Sequence, residues 1–274
     1  MSVLDAAWKH VDAWPTDEVS IVVISPGNTE TYGDTTRRQR IASVSKPLTA
    51  YACLIAIEEG SISLSDHVGQ TDCTVQHLLS HTGGYPFEGA QPVGRPGVKR
   101  IYSNSGFDML AQHVEHSTSM SFAEYFHDAV CAPLSMHNTA LEGSAAKDVW
   151  STIDDLSQFL KELRSPQLLS RETYIQAIMP VFENVSGIVP GIGSFDPCPW
   201  GLGFEIRGHK TPHWTGTRNS SSTFGHFGGI GTFLWVDPVA DVACAMLSER
   251  EFDEWGLAYW PAFNDAVLTS LGRG

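Results

Sequence analysis

Two runs of β-branched and apolar residues stand at opposite ends of this chain, and that separation limits what can be folded between them. "EVSIVVISP" (18–26) reads as a strand closed by a Pro-Gly turn, with "TETYGD" (29–34) as its partner across the turn. Near the other end, "GTFLWV" (231–236) and "VACAMLS" (242–248), joined by "DPVAD", give the clearest hairpin signal in the chain, and "GLGFEIRG" (201–208) reads as a further strand. The residues between these ends read mainly as helices and loops. Strands at both ends with helices between predict an α/β fold of the α+β type: a mostly antiparallel sheet, helices on its flanks and an all-helical domain inserted in the middle. The expected division is 1–60 with 200–274 for the sheet domain and 61–199 for the insertion.

Helical spacing supports this division. Val3, Leu4, Ala7, Trp8 and Val11 recur as on an amphipathic helix, a helix is expected from about Val44 to Glu59 with Gly60 ending it, and another from about Glu254 to Leu271 closes the chain. Pro47 falls in the first turn of its helix, where the N–H groups have no internal partner. Inside the insertion, Ser121 with Glu124 and Thr152 with Asp155 form capping patterns ahead of apolar periodic runs. Gly- and Pro-rich stretches such as "GAQPVGRPG" and "VPGIGSFDPCP" read as loops.

Charge narrows the function classes. A net charge of −14 over 274 residues repels phosphate backbones and anionic lipid, so neither nucleic acid nor a membrane surface is an expected partner. No apolar run reaches the length of a membrane span. Five scattered cysteines, with no C-x-x-C pair, indicate neither a disulfide framework nor a zinc ribbon. Together with an opening that reads as a helix of the mature fold, this predicts a cytoplasmic protein. No cofactor is expected. Histidine is abundant, but His77 with His81, and Cys198 with His209 and His213, fall short of a ligand set, so no metal is assigned.

The chemistry starts at "IASVSKP" (41–47), where Ser43 and Lys46 stand one helical turn apart at the mouth of an apolar helix. A serine hydroxyl needs a proton acceptor within reach to become a nucleophile, and residues i and i+3 share a helix face. The Ser43 N–H, at the positive end of that helix, can meet a developing oxyanion. A second copy of the spacing, Ser144 to Lys147, opens no helix and has Asp148 beside it, so it reads as a solvated loop.

Two further elements can join the first. In "YSN" (102–104) an extended backbone would turn Tyr102 and Asn104 to the same side. A phenol beside a lysine ammonium can relay the serine proton, since the positive charge favours the phenolate, and the carboxamide can accept from Lys46 while donating to a substrate carbonyl. In "GHFGGIGT" (225–232) glycines allow close backbone approach, an N–H on an edge strand can supply a second oxyanion donor, and His226 would project into the same cleft.

In order, spacing and context these elements resemble the serine β-lactamase and penicillin-binding protein superfamily, in its class C-like branch with the related esterases and D-amino-acid peptidases. The resemblance extends to "VQHLLSHTGGYP", "STIDDLSQFLKEL" and "FGHFGGIGTFLWVDP" and so covers most of the chain. It implies a β-lactamase/transpeptidase-like fold with the active site between the two domains. Ser43 would form the acyl-enzyme, Lys46 and Tyr102 would move its proton, and Asn104 would hold the substrate. The N–H groups of Ser43 and Gly229 would form the oxyanion hole, and His226, Phe227 and Gly228 would be the third motif, on the substrate side. One departure stands out: the middle residue of that motif is commonly a hydroxyl residue that helps bind a carboxylate, and here it is Phe227. The expected protein is a cofactor-free serine hydrolase acting on a small ester, amide or lactam with an esterase-like preference. A true β-lactamase or D-amino-acid peptidase, or an inactive ligand-binding relative, is the alternative. Oligomeric state is left open.

Overall fold

The apolar run after residue 18 is a strand, and its neighbours explain why it is apolar on both sides. The computed structural model describes residues 2–16 and 18–273. Helix α1 (Asp5–Val11) precedes β1 (Val19–Ser25), β2 (Asn28–Tyr32) and the short β3 (Gln39–Arg40), after which a 3₁₀ turn over Ala42–Val44 opens α2 (Ser45–Glu58). The middle of the chain holds α3 (Val75–Leu79), α4 (Asn104–Thr118), α5 (Phe122–Phe126), β4 (Ala140–Leu141), β5 (Val149–Ser151), α6 (Ile153–Arg164), α7 (Arg171–Ile178), β6 (Gly187–Val189) and β7 (Gly193–Phe195). The last part is β8 (Glu205–Ile206), β9 (Phe224–Gly228), β10 (Thr232–Asp237), β11 (Val242–Ser248) and α8 (Glu254–Ser270).

The main sheet has the order β2-β1-β11-β10-β9-β8 and every neighbouring pair is antiparallel. Ile21, Val23, Phe233, Trp235, Cys244 and Met246 face one way and pack with Ala7 and Val11 of α1 and Trp260, Phe263 and Val267 of α8. Their neighbours Val22, Ile24, Leu234, Val236, Ala243 and Ala245 face the other way, into the core that contains α2 and α6. The two-residue alternation of a strand thus fills both layers, and a central strand covered on both sides loses its polar face.

The middle segment departs from the expectation in one respect. Residues 61–199 are not all-helical: β4 and β5 extend a three-stranded ladder begun by β3, and β6 and β7 form a small hairpin. These strands are two or three residues long, too short to show an alternation in sequence. The run 121–134 also breaks, with α5 ending at Phe126 and a π turn following over His127–Cys131. Its capping box at Ser121 and Glu124 and the Thr152 cap on α6 are both present.

"GLGFEIRG" contributes only two residues to the sheet, because Gly203 adopts φ +91° with Ala50 of α2 lying 2.0 Å from where a side chain would begin. The backbone turns there to clear the helix. No helix among the described residues is long and apolar enough to cross a membrane. What matters for the site is how α2 enters. Thr232 Oγ1 of β10 donates to the Ile41 carbonyl at 2.9 Å, and Gly228 of β9 lies against Ile41 and Ala42, so the turn before α2 is seated on the edge of the sheet.

Candidate active site

Ser43 sits at the centre of the 3₁₀ turn, directly after Ala42, whose φ of +47° is left-handed for a residue with a side chain. Such a conformation costs about 1–3 kcal/mol and persists only where its surroundings hold it. Here the Thr232 hydrogen bond and the close approach of Gly228 hold it. Neither the Ser43 nor the Gly229 N–H is spent on a backbone carbonyl among the described residues. Both residues border one cavity.

Lys46 lies beneath, fully buried. Its Nζ donates to Asn104 Oδ1 at 2.6 Å and to the Ala146 carbonyl at 3.0 Å and lies 3.3 Å from Ser43 Oγ. Both carbonyl oxygens can only accept, so two Nζ hydrogens are committed and the third tetrahedral position is left for Ser43. That position carries a proton in the ammonium and a lone pair in the amine. Burial brings the Lys46 pKa down to about 7 against the pull of Asp108 and Glu88, so both forms are populated near neutrality.

The Tyr102 side chain borders the cavity beside Ser43, and its hydroxyl lies 3.4 Å from His226 Nε2. The His226 Nδ1 is 2.6 Å from the Phe227 carbonyl, an acceptor only, so Nδ1 carries the ring proton and Nε2 presents its lone pair to the phenol. Burial, with Lys46 nearby, brings His226 down to about 3, and the ring is neutral. Burial also pushes the Tyr102 phenol up, despite the Ser43 hydroxyl beside it. This corrects the expectation that the lysine would favour a phenolate. Lys46 Nζ stands over the ring, 4.6 Å from its centre, and the cost of burying a phenolate outweighs that attraction. Behind Tyr102, the His81 ring lies 4.5 Å away and its Nδ1 accepts from the Ser103 N–H at 3.1 Å, which fixes the entry to α4.

The cavity above Ser43 has a volume of about 260 Å³. Ser43, Tyr102, His226, Phe227 and Gly229 border it with Phe87, Val189, Pro190, Gly191, Trp200 and Phe252. Of the expected site residues, Lys46 and Asn104 lie below this surface and Gly228 behind it, its backbone against the serine turn. Phe227 packs on Phe252, with ring centres 4.6 Å apart, and on Trp214. Trp214 donates to Glu205 Oε2 at 2.5 Å, and Lys210 and His213 also bond the fully buried Glu205, so Trp214 backs the wall without bordering the cavity. Among the described residues no lysine or arginine borders the cavity.

Three features were not foreseen. Asn104 Nδ2 donates to Glu88 Oε1 at 2.9 Å, so one of its two hydrogens is engaged within the protein. Lys147 pairs with that same carboxylate at 2.7 Å, whereas Asp148 pairs with Arg40. The second serine–lysine copy is therefore more than a solvated loop: Ser144 bonds Asp108, Ala145 and Ala146 are buried, and the Ala146 carbonyl holds Lys46. Among the described residues no cluster of three or more His, Cys, Asp or Glu side chains is placed to hold a metal.

A serine turn seated on the edge of an antiparallel sheet, with a lysine one turn along and a Tyr-x-Asn segment facing it, is the arrangement of the serine β-lactamase and penicillin-binding protein superfamily. The family model described as Beta-lactamase matches residues 28–268, and the chain belongs to that family. It is similar to the crystal structure of a β-lactamase from Mycobacterium bovis, 43% identical with a TM-score of 0.95, the match covering 97% of this chain and 99% of that one. It is 26% identical over 132 residues to penicillin-binding protein 4* of Bacillus subtilis, which covers 36% of this chain and 29% of that protein. A putative D-alanyl-D-alanine carboxypeptidase of Escherichia coli O157:H7 is 23% identical over 251 residues, 66% of this chain and 58% of its own length. The chain thus spans well under two thirds of these curated relatives. Family and fold together support a serine acyl-transfer hydrolase.

Proposed function

We propose that the protein hydrolyses small neutral esters through an acyl-enzyme on Ser43. The observation that carries this reading is the Lys46 cage: two carbonyls hold the amine so that its remaining position faces Ser43 Oγ at 3.3 Å, with a pKa brought to about 7. In the amine form Lys46 takes the serine proton as Ser43 attacks the substrate carbonyl. The oxyanion that forms is met by the N–H groups of Ser43 and Gly229 at the start of α2 and the end of β9. Tyr102, between Ser43 and the His226 lone pair, gives its proton to the leaving alkoxide and takes up the one that Lys46 received from Ser43, so the phenol ends neutral and Lys46 is an amine again; the reverse sequence with water frees the acid.

Substrate preference follows from the cavity wall. A carboxylate placed there would lose its hydration to aromatic and aliphatic side chains, with a neutral His226 and, among the described residues, no bordering lysine or arginine to replace it. In the same reading the site is the cleft between a sheet domain of residues 1–60 and 200–274 and an inserted domain of residues 61–199. Five buried, unpaired cysteines favour a reducing, cytoplasmic setting, and the acidic surface favours a small-molecule substrate over nucleic acid or membrane.

The test is intact-protein mass spectrometry after exposure to a fluorophosphonate, a penicillin and a short-chain aryl ester. The expected result is one fluorophosphonate adduct, at Ser43, and fast turnover of the ester. An adduct at Ser144 or none in folded protein removes Ser43 as nucleophile, and faster turnover of the penicillin makes the protein a β-lactamase in the strict sense.

A further inference from the structure

The loop that follows Tyr85 is sewn to the start of α4 residue by residue. Ser103 Oγ donates to the Pro86 carbonyl at 2.7 Å, the Asn104 N–H to the Phe87 carbonyl at 2.9 Å, Asn104 Nδ2 to Glu88 Oε1 at 2.9 Å, and the Gly89 N–H to Ser105 Oγ at 2.9 Å. From the opposite side Lys147 reaches the same Glu88 oxygen at 2.7 Å, one residue after the Ala146 carbonyl that holds Lys46. Glu88 therefore ties together the two groups that cage the lysine. An amide has one accepting end and one donating end, and a carboxylate can only accept. With Glu88 taking the Nδ2 end, the Oδ1 end of Asn104 must face Lys46; a flipped amide would set two donors against each other in a buried site.

We propose that Glu88 is a positioning residue for Lys46, acting through the orientation of the Asn104 amide and held in place by its ion pair with Lys147. This rests on the reading of Ser43 and Lys46 as nucleophile and base. Glu88 touches neither the substrate nor the reacting atoms. Its charge bears on the lysine as well. Lys46 is faced by Asp108 from α4, by Glu88 and Lys147 from the two loops, and by the neutral rings of Tyr102, His81 and His226. Glu88 favours the ammonium and Lys147 the amine, so removing one charge or the other pulls the base in opposite directions.

The experiment is a kcat and kcat/KM profile for 4-nitrophenyl butyrate across the pH range in which Lys46 titrates, for wild type, E88Q, E88A and K147M, with S43A as the blank and thermal unfolding as the check on folding. E88A should lower kcat about 10- to 100-fold, the scale of a misplaced reacting group. E88Q, whose amide oxygen still accepts from Asn104, should lose less and move the acidic limb to lower pH. K147M should move that limb to higher pH. Opposite displacements support the proposal. If kcat falls but the limb stays put in both E88Q and K147M, Glu88 is only a structural tie and the proposal is overturned. It is equally overturned if all three variants match wild type, in which case Ser43 and Lys46 keep their roles. An inactive wild type that takes no acyl group on Ser43 overturns the parent reading and this proposal together. Should E88A fail to fold, E88Q and K147M still decide.

Discussion

Lys46 Nζ stands over the face of Tyr102, 4.6 Å from the ring centre, and gives its hydrogen bonds to Ser43, Asn104 and Ala146. The two groups thus approach Ser43 from different directions. In the proposed reaction the amine form of Lys46 is the base, while the phenol carries a proton between Ser43 and the leaving group. Tyr102→Phe keeps the ring under Lys46 and removes only the hydroxyl. It should lower kcat by about 10²- to 10⁴-fold, the range for a positioned acid or base, with a much smaller change in KM. Steady-state kinetics on a short-chain aryl ester check this, and a kcat near wild type would make the phenol structural.

The titration of Lys46 predicts a pH dependence of stability as well as of rate. Its pKa drops from 10.5 to about 7 on folding, so between those values the unfolded chain binds a proton that the folded chain does not. Stability from this group therefore rises with pH across the window and is lowest below about 7. Lys46→Met removes the term and also leaves the Asn104 and Ala146 carbonyls without a donor. Whatever the offset between the two proteins, wild type should gain on the variant as pH is raised through the window, as read by denaturant unfolding at several pH values. A constant difference would mean that Lys46 does not titrate near neutrality in the fold. Catalysis should show the matching acidic limb, falling below about pH 7 as the amine is protonated.

Phe227 tests the wall. Threonine there would offer a hydroxyl in place of a ring that packs on Phe252 and Trp214. Phe227→Thr should cost about 3 kcal/mol of stability through the space it leaves. It should also shift the ratio of kcat/KM for an anionic lactam over a matched neutral ester toward the lactam. A lower melting temperature with an unchanged ratio would show that the ring fills space without setting specificity.

Gly228 tests the seat of the serine turn. A methyl group there would lie 2.3 Å from Thr232 Oγ1 and 2.8 Å from the Ile41 carbonyl, so the turn would have to move off the sheet edge. Gly228→Ala should reduce kcat about 100-fold by displacing Ser43 from the Gly229 N–H, and slow fluorophosphonate labelling in parallel. Labelling at the wild-type rate would show that the turn does not depend on this contact.

The proposed site residues that sit where a helix or strand begins or ends can be picked out from the chain alone. Ser43 and Lys46 open α2, Asn104 opens α4, and His226 to Gly229 end a strand, so periodicity and turn residues located them. Glu88, Pro190 and Phe252 come from loops, and Val189 from the end of the short β6, whose paths depend on the rest of the fold, and no local pattern sets them apart. The Ala146 carbonyl could not be found at all, since a backbone oxygen has no signature in sequence. The serine–lysine spacing at 144–147 reads as a solvated loop, yet the segment matters through the backbone between its two named residues.

The order of strands in the sheet also sets a timetable for synthesis. Strand β1 lies between β2 and β11, and the serine turn leans on β9 and β10; β9, β10 and β11 are all made after the middle segment. A chain emerging from the ribosome carries Ser43 through the synthesis of the whole middle segment before the strands that seat it exist. Contacts between such distant residues form late and slowly. The partly made protein therefore holds Ser43 on a turn with nothing to seat it, and the proposed site is assembled only when the β9–β10 hairpin joins the sheet.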